Sequence, residues 1–191
     1  IVALNDSLAI ALLMTIDEKI GFIKKAGSEL ATALKKAATG RIDVVVSAAT
    51  LGIPVGQAVA SALKHERQVV LQKTAKIHLQ STPYAEPLTS ITTGTPQKLL
   101  LDLRHIDRVR GKRVVFVDDV ISSGGSCAAA LRLIRAAGGN VVGVGAILVE
   151  GSGWKVRIGE ADAQLVRSLG TIPLYRPPEV AGGAWEADWE C

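Results

Sequence analysis

Two adjacent aspartates, Asp118 and Asp119, are the residues whose types and position most clearly predict chemistry in this sequence. They follow Val114–Val117, a short uninterrupted apolar run typical of a strand that is buried on both faces of a parallel sheet. Because a carboxylate is costly to bury, two of them at the end of such a strand indicate a functional site. Both only accept hydrogen bonds at neutral pH, so together they suit two neighbouring hydroxyl groups of a ligand.

A loop rich in serine and glycine, Ser122–Ser126, follows the two acids. Its glycines have no Cβ, so their amides can approach an anion closely, and its serine hydroxyls are further donors. The helical spacing of apolar residues over 127–137 predicts a helix whose free N–H groups and positive dipole end point at the same place. The loop therefore predicts a phosphate site, and two hydroxyls beside a phosphate describe a ribose 5-phosphate.

The segment VVFVDDVISSGGS resembles the fingerprint of the type I phosphoribosyltransferases: an apolar strand, two acids, two apolar residues and a Ser/Thr-Gly-Gly-Ser/Thr loop. The resemblance extends over residues 8–175 and is closest to the adenine and xanthine (purine) branch. It implies transfer of the 5-phosphoribosyl group from phosphoribosyl pyrophosphate (PRPP) to a purine base, with adenine the first candidate and diphosphate released, in purine salvage. It also implies Mg²⁺ as the cofactor, bound through the substrate and not by protein side chains.

The resemblance assigns roles to individual residues. It implies that Asp118 and Asp119 are catalytic together with Lys73, and that the two aspartates hold the 2- and 3-hydroxyls of the ribose. The implied ribose-phosphate site is one continuous run: Asp118, Asp119, Val120, Ile121, Ser122, Ser123, Gly124, Gly125 and Ser126.

A second anion site is expected where two earlier apolar runs, predicted as strands over 42–46 and 68–71, come to an end. Small residues before the start of a helix form an anion-friendly loop, and lysines neutralise a polyphosphate. The diphosphate site that the resemblance implies comprises Ala49, Thr50, Leu51, Gly52, Lys73 and Lys76. Many family members have an arginine where Leu51 stands, and purine enzymes of this branch usually have one where Gln72 stands.

A long stretch over 74–98, with three prolines and clusters of Ser, Thr and Gly, is typical of a functional lid or of disorder. In the family a flexible loop closes over the site here, and the implied lid residues are Thr89, Ser90, Thr92, Thr93 and Gly94. Adenine-type members carry a glutamate near Thr92. This departure, with those at Leu51 and Gln72, leaves open an alternative function: a PRPP-binding regulatory or non-catalytic homologue.

The composition is that of an ordinary globular protein, with 48% hydrophobic and 21% charged residues. A net charge of +4 fits an anionic small molecule, and the few aromatic residues (three Trp, two Tyr, two Phe) argue against stacking sites for nucleic acid. We expect no specific nucleic-acid partner. Two cysteines without metal or disulfide spacing favour a cytoplasmic setting. No apolar run reaches the ~18 residues of a membrane span, so no membrane association is expected.

The order of apolar runs and helical segments predicts an α/β fold with a mainly parallel central sheet flanked by helices. Helices are expected over 17–40 and 159–169, and a charged connector over 103–111. The resemblance implies a phosphoribosyltransferase-type fold with a flexible lid loop, a small hood and the family's usual homodimer. One domain is expected over 1–191, with its core at 8–175 and a C-terminal tail or hood at 176–191.

Overall fold

The computed structural model describes residues 1–73, 84–88, 97–178 and 183–189. Its strands are β1 (Val2–Asn5), β2 (Leu8–Ile10), β3 (Val44–Ala48), β4 (Val69–Leu71), β5 (Tyr84–Leu88), β6 (Gln97–Leu101), β7 (Arg113–Ile121), β8 (Asn140–Glu150), β9 (Val166–Ile172), β10 (Leu174–Arg176) and β11 (Glu186–Asp188). Its α-helices are α1 (Ile20–Ala37), α2 (Gly52–Ala62), α3 (Ile106–Val109), α4 (Gly125–Ala136), α5 (Trp154–Ile158) and α6 (Glu160–Ala163). Within these ranges, none of the helices has the length and hydropathy needed to cross a membrane.

A five-stranded parallel sheet forms the centre of the molecule, in the order β4-β3-β7-β8-β9. The apolar half of β7 is buried on both faces of this sheet. Val115 and Val117 pack in one apolar cluster with residues of α1 and α2, whereas Val114 and Phe116 pack in another with residues of α4. The predicted α/β class, with a parallel sheet between layers of helices, is confirmed.

A second, antiparallel sheet joins the two ends of the chain in the order β1-β2-β10-β11. Strands β1 and β2 form a hairpin around Asn5, and the strand that pairs with β2 on its other side, β10, comes from the C-terminal part of the sequence. Of the tail predicted as a hood over 176–191, strand β11 and the last residue of β10 lie in this sheet. A separate hairpin, β5–β6, is attached to the end of β4 by two backbone hydrogen bonds between Gln72 and Leu100.

The helix predicted over 159–169 is wrong for most of its length. Only α6 is helical there, and Val166–Ile172 forms the edge strand β9, which pairs in parallel with β8 from Val144↔Val166 to Glu150↔Ile172. Pairing with a partner strand elsewhere in the chain outweighs local helical spacing. The connector predicted over 103–111 is also partly helical, since a 3-10 turn (Leu103–His105) leads into α3.

Two predicted boundaries near the acid pair are also wrong. The strand does not end at the aspartates, because β7 stays paired with β8 as far as Ile121↔Val149. The following helix begins at Gly125, two residues earlier than predicted. The first long helix, predicted over 17–40, spans Ile20–Ala37, and no side chain caps its N-terminus.

Candidate functional site

The strand order creates a switch point between β3 and β7 in the central sheet. From β3 the chain continues to its neighbour β4 on one side, whereas β7 lies on the other side of β3. In open α/β sheets the loops that leave the carboxyl ends of such strands diverge and leave a crevice for a ligand. The loops after β3 and β7 line one cavity at this edge.

Asp118 and Asp119 form the floor of the cavity at the end of β7. Asp118 is 8% exposed, and Asp119 is half-buried. Burial raises the pKa of Asp118 well above its usual value, and the neighbouring Asp119 carboxylate raises it further. Burial also raises the pKa of Asp119. Lys73, which lines the same cavity, opposes both shifts through its positive charge.

The loop after β7 is shaped by one glycine. Gly124 has φ +77° and precedes α4, and a Cβ built on it would lie 2.9 Å from the Trp154 carbonyl oxygen. This position therefore favours glycine both by conformation and by space. The loop turns directly into the N-terminus of a 12-residue helix whose first turn has no acidic residue. The free amides at this end can bind an anion.

The loop after β3 lies against the acid pair. Gly52 opens α2, and a Cβ there would collide with Asp118 Oδ1, so only glycine lets this backbone come so close. The Ala49–Thr50 peptide bond is cis. The Leu51 carbonyl accepts a hydrogen bond from the buried hydroxyl of Thr15, which ties this loop to the segment that leads into α1.

Most of the site residues predicted from the sequence lie together. The cavity is lined by Ala49, Thr50, Leu51, Lys73 and the whole run from Asp118 to Ser126. Gly52 lies directly behind this lining, against Asp118. Lys76 and the predicted lid residues Thr89, Ser90, Thr92, Thr93 and Gly94 fall outside the described residues.

Two parts of the cavity were missed by the sequence reasoning. Ile10, Ala11 and Leu12 line it from the end of β2, and Glu150 lines it from the end of β8. Glu150 carries the signal that revealed the aspartates, an acid that ends a long apolar run. The residues after β2 carry no such signal, because their proximity depends on the tertiary fold.

Side chains that could hold a metal by themselves are not assembled in the described part of the chain, where no group of three or more His, Cys, Asp and Glu residues has a suitable arrangement. The oxygens of Asp118 and Asp119 are nevertheless hard donors of the type that Mg²⁺ prefers. They fit a magnesium ion that is held mainly by substrate oxygens and water. Cys127 is a core residue, since it is 2% exposed and burial raises the pKa of its thiol.

Fold and site together define a class of protein: open α/β sheets with a cavity at a switch point, the place where such sheets bind ligands. A model of the phosphoribosyl transferase domain matches residues 18–163. The chain belongs to the phosphoribosyltransferase family.

Several of the similar proteins are purine enzymes. The adenine phosphoribosyltransferase of Corynebacterium efficiens is 47% identical over 60 residues, which cover 31% of each chain. The hypoxanthine/guanine phosphoribosyltransferase of Methanococcus voltae is 28% identical over 139 residues, which cover 70% of this chain and 66% of the relative. The chain thus spans less than two thirds of the length of these relatives. The adenine phosphoribosyl transferase structure from Trypanosoma brucei superposes with a TM-score of 0.65 at 20% identity, covering 83% of this chain and 67% of the other.

Proposed function

We propose that this protein transfers the 5-phosphoribosyl group of PRPP to a purine base, adenine first among them, and releases diphosphate. One observation carries the proposal. A single cavity combines a buried acid pair, a serine–glycine loop at a helix N-terminus, and a second loop accompanied by a lysine. These three parts match in kind the three parts of PRPP: a ribose diol, a 5-phosphate and a diphosphate.

Each part of the cavity has one task in the proposed reaction. The amides and hydroxyls of Ser122–Ser126 hold the 5-phosphate, because they offer donors at the positive end of α4. Asp118 and Asp119 accept hydrogen bonds from the 2- and 3-hydroxyls. The sugar is then fixed at both ends, with its anomeric carbon towards the loop after β3.

The chemical step breaks the bond between the anomeric carbon and the diphosphate oxygen and forms a bond to a base nitrogen, which gives up its proton to solvent. Positive charge develops on the sugar ring as the diphosphate leaves, as it does in glycoside hydrolysis. The acid pair, placed at the sugar hydroxyls in this proposal, would stabilise this charge, and the protein contributes mainly positioning and electrostatics.

The leaving diphosphate is received by the loop Ala49–Gly52 and by Lys73, which lies at the end of β4 in the same cavity. Lys76 is part of this proposal as a second cation. Magnesium, when bound, neutralises the phosphate oxygens so that diphosphate becomes a better leaving group. Asp118 and Asp119 would face it through its water ligands, since substrate oxygens and water would hold the ion.

The relatives support a purine base as the acceptor. One is an adenine enzyme and another a hypoxanthine/guanine enzyme, and the Trypanosoma brucei structure is described in complex with AMP, pyrophosphate and ribose-5-phosphate. The adenine enzyme has the higher identity, over a shorter segment. Adenine is therefore the base that we propose first.

We further propose that the chain forms a homodimer. Two large apolar side chains near the start of α1, Ile16 and Ile20, are 52% and 74% exposed. Both line a groove between α1 and α2, and exposed apolar surface of this kind marks an interaction site. Light scattering coupled to size exclusion should give twice the 20.0 kDa mass of the chain.

A spectrophotometric assay with PRPP, MgCl₂ and a panel of adenine, hypoxanthine, guanine, xanthine and orotate tests the function. We expect turnover of a purine, fastest with adenine, and none of orotate. PRPP binding measured by calorimetry without turnover of any base would overturn the transferase and support the PRPP-binding regulatory or non-catalytic homologue.

A further inference from the structure

Glu150 is a buried acid that the proposed reaction does not use. It is the last residue of β8, it is 1% exposed, and it lines the cavity. Its Oε1 accepts a hydrogen bond of 2.9 Å from the backbone N–H of Ala11, 139 residues away in the sequence. Its Oε2 has no hydrogen-bond partner among the described residues. A carboxylate so deeply buried with only one such bond is costly to the fold.

The Ser122 hydroxyl lies beside Glu150. Burial raises the pKa of Glu150, and the Ser122 hydroxyl and the Ala11 N–H each oppose that shift. The Ser122 Oγ is itself buried without a hydrogen bond inside the described structure. Glu150 therefore stands between the serine–glycine loop and the segment that follows β2.

That segment, residues 11–15, connects β2 to the turn before α1 and crosses the edge of the central sheet. At one end the Ala11 N–H is held by Glu150, at the end of β8. At the other end the Thr15 hydroxyl donates to the carbonyl of Leu51, in the loop after β3. Among the described strands, β2 pairs within the antiparallel sheet and not with the central sheet. Residues 11–15 are linked to the central sheet by these two side-chain hydrogen bonds and by Leu13, which packs on the apolar cluster that includes Val45 and Val115.

Ile10, Ala11 and Leu12 form one continuous apolar wall of the cavity. Among the other lining residues, the acids, serines and Lys73 suit the charged and hydroxylated parts of PRPP, and Leu51, Val120 and Ile121 are further apolar residues. A purine has two apolar faces, so Ile10 and Leu12 are the residues beside which it would fit.

We propose that Glu150 is a positioning residue that holds the Ile10–Leu12 wall in place for the acceptor base. The inference rests on the proposed transferase function. Glu150 acts through the Ala11 N–H and does not touch the base, because both of its carboxylate oxygens are turned into the protein. It sets the distance between the wall and Ser122, and hence the width of the space that remains for a planar base.

Steady-state kinetics of Glu150→Ala and Glu150→Gln tests the inference. Loss of one hydrogen bond to a charged group predicts a KM for the base about tenfold higher in Glu150→Ala, with the KM for PRPP within about twofold of wild type. Glu150→Gln keeps an acceptor for the Ala11 N–H, so its KM for the base should lie between the values of wild type and Glu150→Ala. Glu29→Gln, an exposed acid on α1, is the matched control and should behave as wild type.

Hydrogen exchange supplies a readout that does not depend on turnover. The amides of residues 10–12 should exchange faster in Glu150→Ala than in wild type or in Glu29→Gln. Equal rises in both KM values, or an unchanged KM for the base, would overturn the positioning role. If Glu150→Ala does not fold, Glu150→Gln decides by the same criteria.

The failure of the proposed function has a different signature. If wild type turns over no base, the transferase proposal fails, and hydrogen exchange alone decides whether Glu150 holds the wall. Unchanged exchange at residues 10–12 would then overturn the inference as well.

Discussion

The acids at the two ends of the central sheet differ in how their charge is stabilised. Asp43, just before β3, accepts hydrogen bonds from Arg41 Nε at 2.7 Å and from the Arg113 N–H at 3.0 Å. The Arg113 N–H, and with it the Arg41 side chain, lowers the pKa of Asp43. At the opposite end of the same sheet, burial raises the pKa of Asp118 and Asp119.

This difference separates an acid that stabilises the fold from acids that the fold holds at a cost. Asp43 ties the start of β3 to the start of β7, and its charge is satisfied within the protein. Asp118 has an acid as its neighbour and has Lys73 as the cation that opposes its pKa shift. Acids kept in such an environment inside a cavity are characteristic of functional sites. The predictions below test this contrast, starting with the largest effect.

Gly124→Ala should damage the ligand end of the sheet most. A left-handed φ costs a residue with a Cβ about 1–2 kcal/mol, and here the new Cβ would also press on the Trp154 carbonyl. We expect a loss of about 1–3 kcal/mol in the free energy of unfolding and at least about tenfold weaker PRPP binding. Denaturant unfolding and calorimetry measure the two quantities.

Gly153→Ala is the matched control for that variant. Gly153 has φ −60° and open space around its Cβ position, so its substitution should change stability by no more than about 0.5 kcal/mol. If both variants bound PRPP as wild type does, the loop at Gly124 would not be the phosphate site.

Asp43→Asn should lower stability and leave PRPP binding unchanged, which is the opposite of what a change in the acid pair should do. It removes the charge that strengthens the bond to the Arg113 N–H, and should cost about 1 kcal/mol of unfolding free energy. PRPP affinity should stay within about twofold of wild type, because Asp43 lies at the far end of the sheet. A large loss of PRPP affinity in this variant would contradict the claim that Asp43 stabilises the fold and takes no part in binding.

The free energy of unfolding should depend on pH in opposite directions for Asp43 and for the acid pair. The folded-state pKa of Asp43 is lowered, so its contribution is present above the unfolded value of 3.8 and disappears as the pH falls through the folded value. The pKa values of Asp118 and Asp119 are raised, so the ligand-free fold loses stability as the pH rises from 3.8 through their folded values.

Thermal unfolding from about pH 4 to about pH 7 measures this smaller effect, since about 1 kcal/mol shifts the Tm by about 2–4 °C in a chain of this size. The ligand-free Tm should fall over this range less steeply in Asp118→Asn than in wild type. Parallel curves for the two proteins would contradict the assignment of the slope to the acid pair.

The parts of the structure that depend on local signals were predictable from the sequence. The apolar run of β7, the acids after it and the glycines before α4 lie within one short segment. Its strand, its helix and its place on the cavity all appear in the structure. The chemical roles of these residues stay predictions.

The parts that depend on distant pairing were not predictable. The local spacing predicts a helix where β9 lies, because strand propensity depends strongly on the pairing partner, and β8 lies in another part of the sequence. The wall at Ile10–Leu12 lies at the cavity through tertiary contacts such as the hydrogen bond from the Ala11 N–H to Glu150, and no local sequence pattern predicts them. Glu150 itself ends an apolar run and could have been found by the reasoning used for Asp118.

Titration of PRPP with Mg²⁺ into wild type, Asp43→Asn and the double variant Asp118→Asn with Asp119→Asn tests the central claim most directly. Two lost hydrogen bonds to charged groups, at about 1.5 kcal/mol or more each, predict at least about 100-fold weaker binding in the double variant. Its ligand-free Tm should equal or exceed that of wild type. Unchanged PRPP affinity in a folded double variant would contradict the claim that these acids hold the sugar.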